Sequence, residues 1–373
     1  MEFVVPFFKS LVLVPLTLLP IINPLSAAPV FIQTAGSNPL VVRRMARQIA
    51  INSWFVLVVS MLVGIYVLDI FGISLPIVRL GGGLLVASSG WRMLSHTGGL
   101  TYGAALVALG APDTGLAVDK VYAEAGVRRG RGETLMEFMD KLAKVPLLYQ
   151  PGERWMYSLS TDVCGALVEK ISGQRFDQYL KEAIFEPLGM KDTAFAVPDS
   201  QLSRFAANYR RKADKTLELI DDPETSEYRK EPTFHSGGGG LVGTTEDYLR
   251  FCEMLRRGGE LDGARILGPR TIELMHRNHL KDGKDLTQMA VGGFSETANE
   301  GVGFGLGFAS TLDSVKAGAL GCGDYYWGGA ASTIFWVDPK EDLTVVFMTQ
   351  LMPSGAFNFR GQLKSIIYSA IVE

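Results

Sequence analysis

Residues 325–350 read YYWGGAASTIFWVDPKEDLTVVFMTQ, and this stretch decides the fold of the C-terminal part of the chain. Two of its runs, Ser332–Asp338 and Leu343–Gln350, are rich in the β-branched and aromatic residues that strands favour. The four residues between them, Pro339 to Asp342, are typical of turns, so the pattern predicts a β-hairpin. A closing helix from about Arg360 to Val372 is predicted to follow.

Helix-start signals upstream of the hairpin indicate that helices alternate with strands. A Ser or Thr can cap the first turn of a helix, an acidic residue three positions later strengthens the signal, and Gly often follows the last turn. The signals are Thr134-x-x-Glu137, Ser160 or Thr161 ahead of a helix to Ile171 and Gly173, and Thr244-x-x-Asp247 ahead of a helix that ends at Gly258. With the hairpin, they predict an α+β class in which helices surround an antiparallel sheet.

Charge separates the first 94 residues from the rest of the chain. Residues 1–94 hold six basic and two acidic side chains, a net charge of +4, so residues 95–373 carry −7 of the overall −3. Charged groups are unfavourable in hydrocarbon, which predicts a bilayer-embedded first part and a water-soluble second part. The acidic second part argues against nucleic acid as a partner.

Three apolar stretches in the first part are predicted to be transmembrane helices, since about 20 residues span a bilayer. They are residues 11–34, 49–68 and 73–91. Three arginines between the first two stretches, Arg43, Arg44 and Arg47, place that loop in the cytoplasm by the positive-inside rule. The N-terminus is then outside, and everything after the third stretch is cytoplasmic. A cleaved signal peptide is the alternative for the first stretch, but its prolines and the lack of a basic n-region disfavour it.

Two segments of residues 1–94, LLPIINPLSAAPVFIQTAG and DIFGISLPIVRLGGGLLVASSGWRML, resemble the MarC family of bacterial inner-membrane proteins. Asn23–Pro29 and Gly81–Gly83 carry most of this resemblance. Prolines and an asparagine at membrane depth free backbone carbonyls that only a protein-lined cavity tolerates, so Asn23 and Arg79 are candidate functional residues. The alternative is that both only satisfy helix–helix contacts. MarC proteins look like two related three-helix halves, and the presence of one half weighs against a transport role.

From about residue 95 the chain resembles the class C β-lactamase and family VIII carboxylesterase group. The segments that carry the resemblance are LSHTGGLTYG, YQPGERWMYSLSTDVCGALVEKISGQ, IFEPLGMKDTAF, HSGGGGLVGTTEDYLRF and YYWGGAASTIFWVDPKEDLTVVFMTQ, in this order. The resemblance implies a serine β-lactamase/DD-peptidase-like α+β domain. The full expectation is an all-α transmembrane segment of three helices (residues 1–94) joined to an incomplete, N-terminally truncated domain of this kind (residues 95–373).

The resemblance also implies site residues. Enzymes of the group use a Ser-x-x-Lys nucleophile, a tyrosine that moves protons, and a Lys-Thr-Gly-like strand that faces the substrate. Tyr157-Ser158 matches the tyrosine element, so the resemblance implies Tyr157 and Ser158 as the candidate catalytic residues. Trp327-Gly328-Gly329 stands at the strand position, where the esterase relatives also have Trp-Gly-Gly, and the N–H of Ala330 would donate to an oxyanion. A small ester is therefore the implied substrate, and no cofactor is implied.

No Ser-x-x-Lys sequence occurs anywhere in the chain. A phenol titrates near pH 10 and acts as a base near neutrality only beside a cation, which in the family is the lysine of the absent motif. No Gly-x-Ser-x-Gly elbow replaces it, and Ser53, near the family spacing, lies within a predicted membrane helix. We therefore expect impaired catalysis. Gly237–Gly240 permits close backbone approach or positive φ, which alone is weak evidence for a ligand.

The remaining candidate ligands indicate no metal site. His276-x-x-His279 could present two imidazoles on one helix face, but no Cys or acidic cluster accompanies it, so a surface pair is expected. The three cysteines match neither a disulfide framework nor a metal site and are expected to be free thiols.

Three functional hypotheses stay open on the sequence. The first is an esterase-like serine hydrolase domain, catalytically impaired, fused to a MarC-like membrane segment. The second is a MarC-type membrane protein, with a transport role, that carries a passenger domain. The third is a chimeric gene product without function. Each of the first two places the chain in the inner membrane, with the lipid bilayer as a partner, and the oligomeric state stays open.

Overall fold

The computed structural model describes Arg47 and residues 99–102, 116–127, 132–150, 152–291, 300–318, 321 and 323–372. The chain divides into two units, Met1–Arg79 and Leu80–Glu373, and every described residue except Arg47 belongs to the second. The three predicted membrane helices, with Asn23 and Arg79, lie outside the described residues. Among the helices that are described, none combines the length and the hydropathy needed to cross a bilayer. The predicted division at residues 94 and 95 stays a prediction.

The second unit alternates helices and strands, as the cap and hairpin signals predict. The helices are α1 (Ala117–Glu124), α2 (Leu135–Leu142), α3 (Ser160–Ser172), α4 (Phe176–Leu180), α5 (Glu186–Leu188), α6 (Thr245–Arg256), α7 (Pro269–His276), α8 (Leu286–Met289), α9 (Ser314–Ala317) and α10 (Phe359–Ser369). The strands are β1 (Asn208–Arg211), β2 (Leu217–Asp221), β3 (Glu260–Leu261), β4 (Ala264–Arg265), β5 (Val302–Phe304), β6 (Ala309–Thr311), β7 (Tyr325–Gly328), β8 (Ile334–Asp338), β9 (Leu343–Phe347) and β10 (Leu351–Met352).

The main sheet is antiparallel and has the order β5-β6-β7-β8-β9. Strands β8 and β9 form the predicted hairpin, with Asp338 opposite Leu343 at the turn. A parallel pair joins β1 to β10, and β2 completes this smaller three-stranded sheet. The predicted α+β class with an antiparallel sheet is confirmed.

Helices cover both faces of the main sheet because side chains alternate between the faces along each strand. From β8, Phe335 and Val337 enter a core cluster that also contains Leu255 of α6. Their neighbour Trp336 belongs to the opposite cluster, where its ring stacks on Tyr368 of α10 at a centroid distance of 6.5 Å. Helices α1, α2 and α3 pack with residues 99–102 in a further cluster.

Two of the three predicted helix caps are confirmed. Thr134 and Glu137 form both bonds of a capping box at α2, and Thr244 accepts a hydrogen bond from the Asp247 N–H at α6. The predicted cap of α3 by Ser160 or Thr161 is wrong, because the N-cap is Leu159, whose side chain has no acceptor.

Helix ends also agree with the signals. Helix α3 stops at Gly173, whose φ of 72° is left-handed, as the sequence predicts. The predicted closing helix is present as α10, from Phe359 to Ser369, and ends three residues before the predicted Val372.

Candidate active site

Tyr157 lies in the segment that leads into α3, with its ring half-buried between two aromatic side chains. Its ring centroid is 4.9 Å from that of Tyr102 and 5.7 Å from that of Trp327. Trp327 in turn meets Phe304 edge-on at 5.3 Å. Two site residues that the resemblance implies, one before a helix and one on a central strand, are therefore in ring contact.

Ser158 points into the protein at the start of α3 and is 4% exposed. Its Oγ lies 2.7 Å from the Oγ of Ser160 and accepts a longer bond, 3.3 Å, from the Ser160 N–H. Ser160 does not cap α3 because it is the first residue of the helix, and the N–H groups of Asp162 and Val163 donate to the carbonyl of Leu159 at 3.0 and 3.2 Å. The catalytic role expected for Ser158 stays a prediction.

The Trp327–Ala330 segment forms the end of β7 and the turn into β8. The N–H of Gly329 donates to the carbonyl of Thr333 at 3.0 Å, and the N–H of Ser332 donates back to Gly329 at 3.2 Å. Ala330 is exposed at the tip of this turn. The turn thus presents a main-chain segment to solvent beside Trp327, the position where an oxyanion donor is expected.

Arg360, the second residue of α10, lies against this turn. Its Nη2 donates to the carbonyls of Gly329 at 3.1 Å and Thr333 at 3.4 Å. The guanidinium also occupies the space that a Cβ on Gly328 would need. Burial lowers the pKa of Arg360, and the charge of the Tyr157 phenolate acts in the opposite direction. Sequence analysis placed Arg360 only at the start of the closing helix.

Two further polar pairs join α10 to the sheet. Lys364 Nζ pairs with the carboxylate of Asp324, just before β7, and lies 4.1 Å from the ring centroid of Tyr326. The Tyr368 hydroxyl donates to Asp338, at the end of β8, at 2.7 Å. Burial and the bond to Asp338 raise the pKa of Tyr368. The spacing of four between residues 360, 364 and 368 is the sequence signal for this polar stripe.

The glycine run Gly237–Gly240 packs against α3. A Cβ on Gly237 would overlap the carbonyl of Thr161, and Gly240 has a φ of 91°. The Ser236 hydroxyl donates to the fully buried carboxylate of Asp162 at 2.5 Å. Both expectations for the glycine run, a close backbone approach and a positive φ, are confirmed. They allow the loop to pack against α3, the helix that follows Tyr157.

The remaining chemically reactive side chains have separate environments. The His276 ring stacks on Tyr325 at 4.6 Å, whereas His279 Nε2 lies 2.8 Å from the carbonyl of Leu274. Burial raises the pKa of Cys164 to about 12. Cys252 is also a buried free thiol, and Cys322 lies outside the described residues. No cluster of metal-ligating groups occurs among the residues with described positions.

Comparison with known proteins identifies the family. Residues 92–365 match the family model described as Beta-lactamase, so the chain belongs to the β-lactamase family. Residues 8–100 match the model described as MarC family integral membrane protein. Both resemblances seen in the sequence are therefore confirmed, and the two matches overlap between residues 92 and 100.

Relatives support the same fold. Protein Rv1367c of Mycobacterium tuberculosis (strain ATCC 25618 / H37Rv) is 33% identical over 265 residues, which are 70% of this chain and 62% of the relative. Esterase EstB of Burkholderia gladioli is 30% identical over 283 residues, 71% of this chain and 65% of EstB. The solved structure of EstCE1, a hydrolase with promiscuous acyltransferase activity, superposes with a TM-score of 0.58 and 29% identity, covering 73% of this chain and 69% of EstCE1. The chain thus spans less than two thirds of the length of these curated relatives, and its C-terminal unit has the β-lactamase-like fold.

Proposed function

We propose that residues 95–373 form an ester-directed acyl site of the β-lactamase fold whose hydrolytic step is impaired. The observation that carries the proposal is the meeting of Tyr157 with Trp327, at 5.7 Å between ring centroids, beside the Gly328-Gly329 turn. Aromatic walls next to a main-chain edge suit an acyl group of moderate size.

The residues at the end of β7 favour a neutral ester over a β-lactam. A lysine at the position of Trp327 would pair with a substrate carboxylate, and Trp327 offers no such charge. The names of two relatives, Esterase EstB and the hydrolase and acyltransferase EstCE1, agree with this choice.

Ester hydrolysis by an acyl-enzyme route needs three groups. A hydroxyl oxygen must bond to the acyl carbon, a base must take its proton and pass it to the leaving alcohol, and N–H donors must stabilise the oxyanion. Tyr157 is suited to the second task and the Ala330 N–H to part of the third. Because the chain has no Ser-x-x-Lys sequence, no residue in it matches the serine that the family uses as the hydroxyl nucleophile. The proposal is therefore that the site binds an ester and turns it over poorly.

Binding without turnover can be measured on the full chain in detergent. N-(4-nitrophenyl)butyramide, an amide isostere of a p-nitrophenyl ester, is the probe in saturation-transfer NMR. We expect saturation transfer to the acyl chain that is lost in Trp327→Ala. Tyr209→Ala, which removes an exposed aromatic side chain on β1, is the matched control and should bind as the natural chain does. Equal signals in all three proteins would contradict the proposed site.

The N-terminal part supports a second function, that of an integral membrane protein. We propose that residues 1–94 anchor the chain in the bacterial inner membrane through three helices and leave the acyl site in the cytoplasm. The match of residues 8–100 to the MarC family favours this location. Fractionation and C-terminal reporter fusions test it, with a membrane pellet and a cytoplasmic reporter as the expected results. A product recovered free of membranes would rule it out.

A further inference from the structure

Helix α10 aligns three polar side chains with the two central strands of the main sheet. Arg360, Lys364 and Tyr368 are spaced by four residues and so lie on one face of the helix. Arg360 contacts the β7–β8 turn, whereas Lys364 and Tyr368 contact the opposite end of the two strands, at the start of β7 and the end of β8. The helix therefore has one fixed register along the sheet.

Two of these residues act as buried anchors. Lys364 pairs with Asp324, which is 0% exposed, and Tyr368 donates to Asp338, which is 1% exposed. A shift of α10 would leave these carboxylates buried without their partners, which is strongly unfavourable. The anchors consequently fix where the first turn of α10, and with it Arg360, lies relative to β7.

Arg360 uses this fixed position to hold its guanidinium at the Trp-Gly-Gly segment. The head group lies against Gly328, where an added Cβ would overlap it, and it donates to the carbonyl of Gly329. The residue before this pair, Trp327, is the one whose ring meets Tyr157. Arg360 and Tyr157 also interact electrostatically. A permanent cation therefore lies against Gly328 and Gly329, next in the chain to the tryptophan whose ring contacts Tyr157.

We infer that Arg360 is a positioning residue for Tyr157, and that it provides a cation that stabilises the phenolate in a chain without the Ser-x-x-Lys lysine. The inference rests on the proposed function for the use of that phenolate as a proton acceptor. The guanidinium of Arg360 would take the place of the lysine of the Ser-x-x-Lys motif, which this chain does not contain. Two titratable side chains near Tyr157 are Arg360, which interacts with it electrostatically, and Tyr102, whose ring centroid lies 4.9 Å from that of Tyr157.

The test is a ¹³C NMR titration of the full chain, in detergent, labelled with [ζ-¹³C]tyrosine. Loss of one of the 12 tyrosine signals in Tyr157→Phe assigns the resonance. Arg360→Gln keeps an N–H donor for Gly329 and removes the charge, so the pKa of the Tyr157 phenol should rise by about 1, as for loss of one nearby opposite charge. Arg360→Lys keeps the charge and should restore most of the difference.

A matched control separates the loss of the Arg360 charge from a general loosening of the chain around α10. Arg211 donates to the carbonyl of Ala356, in the segment just before α10, at 2.9 Å. Arg211→Gln removes this second arginine and should leave the Tyr157 titration unchanged. Gly328→Ala, which displaces the guanidinium without removing it, is a second variant and should raise the pKa in the same direction. An unchanged titration in Arg360→Gln, or an equal rise in Arg211→Gln, would overturn the inference. No substrate is used, so a failure of ester binding does not affect this result.

Discussion

Replacing Gly328 by alanine tests the contact on which the arrangement of the site depends. The added Cβ would overlap the Arg360 guanidinium, which is itself held by the carbonyls of Gly329 and Thr333. Overpacking of this kind typically costs about 1–3 kcal/mol. For the unit Leu80–Glu373, with an unfolding entropy of about 2.1 cal/mol/K per residue, about 2 kcal/mol lowers the melting temperature by about 3 °C. Gly355→Ala is the control, because no atom lies within 4 Å of a Cβ at that position.

The assay is thermal unfolding of the full chain followed by tryptophan fluorescence, with Gly328→Ala measured in the natural and the Arg360→Ala backgrounds. If the clash is with the guanidinium, the destabilisation should largely disappear once Arg360 is truncated, since contacting residues show non-additive effects. A loss that is the same in both backgrounds, or no larger than that of Gly355→Ala, would refute the reasoning.

Three further predictions concern stability. Lys364→Met leaves the Asp324 carboxylate buried and unpaired and should destabilise the domain by about 3–5 kcal/mol; adding Asp324→Leu should recover most of this in the same unfolding assay, and no recovery would argue against the pair. Burial lowers the pKa of His235, and the nearby Asp177 carboxylate opposes this shift. The unfolded state therefore binds the proton more readily than the folded state. The contribution of His235 to the free energy of unfolding is fully present above the unfolded pKa of about 6.5 and is lost as the pH falls below that value. The melting temperature should therefore drop from pH 7.5 to pH 5, and less steeply in His235→Gln; an equal slope would contradict this. Thr134→Ala should cost about 1 kcal/mol through loss of the α2 cap, measured against Thr225→Ala, a substitution of an exposed threonine outside the helices.

Local signals predicted local structure well. The hairpin of β8 and β9 depends on composition and on a four-residue turn, and both capping interactions of Thr134 and Thr244 span three residues. Such elements are set by short-range sterics and hydrogen bonds, which the sequence displays directly. The predicted α3 cap was wrong because the helix begins one residue earlier, where the Leu159 carbonyl accepts the N–H groups of Asp162 and Val163.

Long-range placement was accessible only in part. The resemblance to a family put Tyr157 and Trp327 in the same site, which neither periodicity nor composition could do. The position of Arg360 at the site could not be predicted from the sequence, because it depends on the register of α10 along the sheet. That register depends on buried partners that are distant in sequence, such as Asp324. The spacing of four in the closing helix was visible, but an exposed helix face gives the same pattern.

Covalent labelling is the most direct test of the central claim, that this β-lactamase-family domain has an ester site without a nucleophilic serine. The full chain is incubated with a fluorophosphonate probe, digested and mapped by mass spectrometry, with Tyr157→Phe treated in parallel. We predict no serine adduct above the level of the heat-denatured chain. A stoichiometric adduct on one serine that weakens in Tyr157→Phe would show that the chain has an activated hydroxyl, and would contradict the account.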